Sequence, residues 1–143
     1  AHLKRSVEVI GPIELRLFAS SSAPDTDFTG KLVDVYPDGR AIILTEGILR
    51  ARFRHSFTSP KLLEPGKIYE LRLNLWATGN VFLPGHTIRL EVSSSNFPRF
   101  DRNSNTGGTI ASERRDQYQP AINRIFHDAK HPSHLILPIT SHL

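Results

Sequence analysis

Apolar and polar side chains alternate with a period of two along most of this chain, the period of half-buried strands rather than of helices. Ile13, Leu15, Leu17 and Ala19 fall on one side of such a strand, and Glu14, Arg16 and Phe18 on the other. Ser20 to Asp25 then turns the chain, and Leu32 to Tyr36 reads as a second strand. Pro37-Asp38-Gly39 predicts a hairpin, because Pro fixes its own φ and Gly accepts positive φ without a Cβ clash; Ala41 to Leu44 then returns antiparallel. Glu46-Gly47 predicts a further tight turn, into Ile48 to Phe53. The clearest alternation, Ile68 to Leu75, predicts a central strand that buries Tyr69, Leu71, Leu73 and Leu75. Each buried aliphatic contributes about 1.5–3 kcal/mol before conformational entropy is subtracted.

Pro84-Gly85-His86 turns the chain again, and Ile88, Leu90 and Val92 oppose Arg89 and Glu91. From Ser93 through Gly108 the periodicity lapses into a long polar loop, the pattern of a functional or packing loop on a sheet rim. Ile110 to Gln117 is the one helical turn predicted, and Ala121 to Phe126 and Leu135 to Ile139 are the last strands. About nine short strands and almost no helix predict an all-β chain, a β-sandwich of jelly-roll type. No repeat or low-complexity linker divides the 143 residues, so a single domain is expected.

A chain of this length buries enough surface to need neither a disulfide nor a metal. With no Cys, disulfide scaffolds, thiolate zinc sites and cysteine nucleophiles are excluded, while the compartment stays unassigned, the cytoplasm slightly favoured. No apolar run approaches the roughly 20 residues of a spanning helix, and no membrane partner is expected. The net charge of +4 raises nucleic acid as a partner, but the Arg residues are dispersed. Only Arg50, Arg52 and Arg54 alternate closely, and Arg114-Arg115 is the sole adjacent Arg pair. Arg on the solvent face of a sheet is the simpler reading, and no nucleic-acid partner is assigned. The chain also lacks Met, which fits either processing before Ala1 or a start partway through a longer polypeptide.

Candidate chemistry is sparse. His127, His131 and His134 with Asp128 have the residue types of a metal cluster, but Pro132 argues for a turn. Asp25 and Asp27 offer oxygen ligands to Ca²⁺, but an Asp-rich turn more simply caps its own backbone amides. No metal or cofactor is assigned. The G-x-S-x-G trace of a nucleophile elbow is missing, and Ser93-Ser94-Ser95 ends a strand rather than opening a helix. The glycines form neither a phosphate loop nor a dinucleotide fingerprint. No catalytic residue is assigned to this chain.

Specific strings then outweigh periodicity. Ser21-Ser22-Ala23-Pro24-Asp25-Thr26-Asp27-Phe28, the run from Lys31 to Arg40, Gly47 to Arg54, Val81 to His86, Ser93 to Asn103, and His131-Pro132-Ser133-His134 with Leu135 to Pro138 keep their order over nearly the whole chain. Together they resemble the C-terminal domain of the X-Pro dipeptidyl-peptidase-like (CocE/NonD) serine hydrolases, the family of cocaine esterase, α-amino-acid ester hydrolases and cephalosporin acylases. Thr87 departs from the pattern, where the family commonly has Arg.

The resemblance implies an upstream α/β-hydrolase domain carrying the Ser-His-Asp triad, a helical cap inserted in it, and a C-terminal jelly roll of the galactose-binding-like type. Residues 1–143 are then that single C-terminal domain, or the later part of one lacking its first strands. The partners implied are the α/β-hydrolase and cap domains of the same polypeptide, with unpaired sheet edges as a route to homo-oligomers. The residues proposed for domain contact or pocket wall are Asp25, Asp27 and Phe28, with Asn96, Phe97, Arg99, Phe100, Asp101, Arg102 and Asn103 in the loop. Intrasheet hydrogen bonding is the expected role of Arg50, Arg89 and His86. The alternative is a carbohydrate-binding module, for which Trp76, Tyr36, Tyr69 and Tyr118 are the aromatics that could form a platform.

Overall fold

In the first strand, β1 (Val7–Ser21), alternation does what the sequence demands: Val9, Ile13, Leu15, Leu17 and Ala19 are buried. The computed structural model describes residues 1–140 and continues with β2 (Asp27–Val35), β3 (Ala41–Arg50), β4 (Tyr69–Phe82), β5 (Thr87–Ser93), β6 (Asn123–Phe126) and β7 (His134–Ile136). All pairings are antiparallel and form two sheets. In the first, β1 pairs with β4 on one side and with β6 and β7 on the other; in the second, β2 lies between β3 and β5. Side chains from both sheets meet in one core, with Leu15, Leu17, Leu71, Leu73, Leu75 and Phe82 packed against Phe28 and Leu32. The chain is an all-β sandwich, as expected.

Three details differ from the sequence reading. Ile68 to Leu75 is not a central strand: among the described strands β4 pairs only with β1, and β1 is central. Alternation reports burial of one face and carries no information about how many backbone neighbours a strand has. Second, seven strands form among the described residues, because segments read as separate merge. Third, Glu46-Gly47 is not a turn but lies inside β3. A Cβ on Gly47 would sit 2.1 Å from the Asn74 carbonyl oxygen, so the residue is small because β3 lies directly on the β4 backbone. The Pro37-Asp38-Gly39 hairpin does form, with Gly39 at φ 89°. The expected helical turn resolves into two 3₁₀ turns, Ile110–Ser112 and Arg115–Gln117, and a third, Ala51–Phe53, replaces the predicted end of a strand.

The β1–β4 ladder carries one irregularity. Glu14 faces Asn74 and Pro12 faces Ala77, so Leu75 and Trp76 together oppose Ile13 in a β-bulge. Trp76 takes φ 67°, a conformation that costs a non-Gly residue on the order of 1–3 kcal/mol and survives only where neighbours enforce it. The Asn74 side-chain oxygen accepts from the Trp76 amide at 2.7 Å, and the Thr45 hydroxyl of β3 donates to the Leu75 carbonyl. Leu75 is thereby buried and Trp76 turned outward, 68% exposed. Trp76 therefore lies within β4, where the sequence reading ends the strand at Leu75.

Gly47→Ala should destabilise the domain by about 3 kcal/mol, because the added methyl meets backbone that cannot yield. Gly79→Ala in β4 meets open space and should stay within about 0.5 kcal/mol. Urea midpoints at constant m-value check both.

Candidate functional site

Two short sequence patterns build one end of the sandwich. Asp25 and Asp27 are two residues apart, as are Arg50 and Arg52, and the β2–β3 register sets Asp27 opposite Arg50. Antiparallel geometry then brings Asp25 to Arg52. Asp27 receives Arg50 Nε and Nη2 at 2.9 and 3.1 Å, a bidentate pair. Asp25 receives the Arg52 backbone amide at 2.9 Å and its Nε at 2.8 Å. Both carboxylates are buried, so each needs every one of these donors. Hydrogen bonding to Asp27 raises the Arg50 guanidinium further above its already high range.

The long loop closes over this pair. Asn103 Nδ2 donates to Asp25 at 2.9 Å and to Asp27 at 2.7 Å, joining two like charges through one amide. Arg52 Nη1 reaches the Gly108 carbonyl at 2.9 Å, and the Thr106 hydroxyl donates to Glu113. Hydrogen bonds from Ser104 and Thr106 hold the Glu113 carboxyl below its usual range, helped by the charge of Arg52. The loop is thus tied down at residues 103–113, a fixed base for the tip from 96 to 102.

The expected contact residues divide accordingly. Phe28 is buried in the domain's own core, and Asp25, Asp27 and Asn103 form the internal network. Asn96 donates to Glu46 at 2.6 Å, and Arg99 pairs with the other oxygen of Glu46 at 2.6 Å. Phe97 is 57% exposed, with the Arg102 guanidinium 4.5 Å from its ring centre. Phe100 is half-buried and Asp101 exposed. Arg50 and Asp101 line two adjoining clefts. One, of about 390 Å³, includes Phe97, Arg102, Arg115 and Tyr118; the other, of about 290 Å³, includes Phe53, Phe57 and Phe100.

The three alternating arginines are not arrayed on a solvent face, as the sequence reading had them. Arg54 turns back on the Ala51, Lys61 and Leu62 carbonyls and lies 4.5 Å over the Tyr69 ring. The signal for Arg50 and Arg52 was present as matching Asp-x-Asp and Arg-x-Arg spacings. Glu46 and Glu113 carried no such signal. The Asp25–Asp27 pair, read as a turn capping its own amides, receives guanidinium groups instead. His127, His131 and His134 form no common cluster: His127 and His134 line one small pocket, His131 pairs with Asp128 at 3.1 Å and packs near Phe18 and Phe126, and His134 Nδ1 donates to the Pro132 carbonyl. Among the described residues no three His, Asp or Glu side chains form a metal cluster. His86 has the structural role expected, its Nδ1 lying 2.9 Å from Asp34 in a buried pair. Thr87 contacts His2 at 3.3 Å.

Asn103→Ala should cost about 2 kcal/mol by leaving buried carboxylate oxygens short of a donor, and Asp27→Ala about 4 kcal/mol by stranding Arg50. Glu113 makes a pH-dependent contribution. The unfolded chain takes up this proton near the ordinary value of 4.5, so the contribution is complete above that pH and is lost as pH falls through the lower folded value. Glu113→Gln should flatten the acid side of a stability–pH curve measured by denaturation.

Residues 1–136 match the family model described as the X-Pro dipeptidyl-peptidase C-terminal non-catalytic domain. The chain is 59% identical over 133 residues to cocaine esterase of Rhodococcus sp. (strain MB1 Bresler), an alignment covering 93% of this chain and 23% of that protein. An aminopeptidase from a marine sediment archaeon, Thaumarchaeota archaeon, superposes with a TM-score of 0.94 at 36% identity, over 99% of this chain and 25% of its own. An α-amino acid ester hydrolase does so with a TM-score of 0.94 at 31% identity, over 98% and 24%. The chain thus spans about a quarter of the length of these relatives. With nearly the whole chain matched, the chain belongs to the X-Pro dipeptidyl-peptidase C-terminal non-catalytic domain family.

Proposed function

We propose that this domain serves a serine hydrolase of the esterase, acylase or X-Pro dipeptidyl-peptidase type by packing against the α/β-hydrolase and cap domains of the same polypeptide and walling their substrate pocket. The observation that carries this reading is the loop tip. Phe97, Arg102 and Asp101 stand out beside two clefts, while Asn103 fixes the base of the loop to two buried carboxylates. An exposed aromatic beside arginines on a rigid base is the composition of an interface anchor. Rigidity matters because a pocket wall acts by holding reacting groups in place. Asp25, Asp27 and Asn103 act here through the loop, as positioning residues.

Self-association at sheet edges belongs to the same reading and is supported by β5, which pairs only with β2 among the described strands. In the parent polypeptide, Phe97→Ala with Arg102→Ala should lower kcat/KM about tenfold and weaken coupling between domains, splitting one melting transition into two. Unchanged kinetics and a single unchanged transition would remove the loop from the interface. The chain alone should hydrolyse neither esters nor X-Pro peptides; turnover surviving replacement of Ser93, Ser94 and Ser95 would reveal a catalytic site elsewhere in it.

A further inference from the structure

Trp76 is the only Trp in the chain, and the fold holds it outward at a cost. A bulky residue at φ 67° is an outlier, and β-bulges recur where a strand must re-aim a side chain. Leu75 fills the buried side of the bulge, and Trp76 takes no place in the core. The indole instead lines an open groove of about 500 Å³, whose other walls are Ile43, Leu44, Thr45, Glu46 and Arg99.

The chemistry of those walls restricts what fits. Glu46 and Arg99 are paired at 2.6 Å, so the polar wall has no net charge. It still offers both hydrogen-bonding senses, because the Arg99 side chain is 59% exposed and guanidinium carries five N–H donors, while carboxylate oxygens accept more than one bond. Asn96 donates to Glu46 at 2.6 Å and fixes the pair in place. Anions and cations each meet a charge already neutralised, and a single ring makes no cage for a quaternary ammonium. The complementary ligand is neutral, with one apolar face for the indole and an edge of hydroxyls that both donate and accept.

We propose that this groove binds a neutral saccharide, its C–H face stacked on Trp76 and its hydroxyls on Glu46 and Arg99. The groove borrows Arg99 from the loop but shares no residue with the cleft at Phe97 and Arg102, and Trp76→Gly tests it without touching the residues of the domain-docking reading.

The lone Trp makes emission of the isolated chain a direct readout. It should be titrated to millimolar concentrations with methyl glycosides of glucose, galactose, mannose and N-acetylglucosamine and with their oligomers, using glycerol as the osmotic control. A saturable change with at least one sugar and none with glycerol is expected, with saturation-transfer NMR signals strongest on C–H protons of one ring face. Arg99→Ala should weaken binding about tenfold, the loss of a charge-assisted hydrogen bond. Trp76→Gly keeps the fold testable, because Gly favours positive φ: its melting temperature should rise while the NMR signal disappears. The proposal is overturned if no sugar changes the emission or gives a transfer signal with the folded chain, or if the signal persists in Trp76→Gly.

Discussion

Two carboxylates buried two residues apart must be satisfied, and much of the architecture follows from that requirement. Asp25 and Asp27 sit at the entrance to β2, where the chain passes from one sheet to the other. Arg50 and Arg52 neutralise them, which obliges β3 to end at that level and to turn through Ala51–Phe53. Asn103 then supplies the remaining donors, which obliges a long loop without periodicity to fold back over the strand ends. One local electrostatic demand thus fixes the end of a hairpin and the base of a loop. Paired buried charges of this kind contribute less to net stability than to excluding other arrangements, because each partner is costly without the other.

The all-β class, the hairpin at Gly39 and most strand positions were legible because alternation encodes which face is buried. The order of strands within a sheet was not legible. β4 shows the cleanest alternation in the chain and is nevertheless at an edge, since the pattern records side-chain faces and not backbone neighbours. Gly47 was misread because a glycine needed for a turn and a glycine needed for close approach of two strands look the same in one sequence. Trp76 follows directly on the strand read at Ile68 to Leu75 and so looked like its end; the unequal residue count between β1 and β4 shows a bulge inside β4 that turns it outward.

The loop was recognisable as important by its length and composition, and its candidate residues fall into two groups that the sequence could not separate. Asn103, Asp25 and Asp27 look inward, Phe28 belongs to the core, and Phe97, Asp101 and Arg102 face out. The strings that mark the family therefore combine residues kept by internal electrostatics with residues free to meet another surface. The family is described as non-catalytic, and the relatives carry about three-quarters of their length beyond the matched part.

The contact between Gly47 and the Asn74 carbonyl has a mechanical side. β3 rests on β4 at this point without a ladder between them, and the same strand places Thr45 on the Leu75 carbonyl. The bulge that turns Trp76 outward is therefore braced from both sheets, by Asn74 of its own strand and by Thr45 of the strand packed over it. A surface ring is thus anchored to the closest approach of the two layers and not to its own ladder alone.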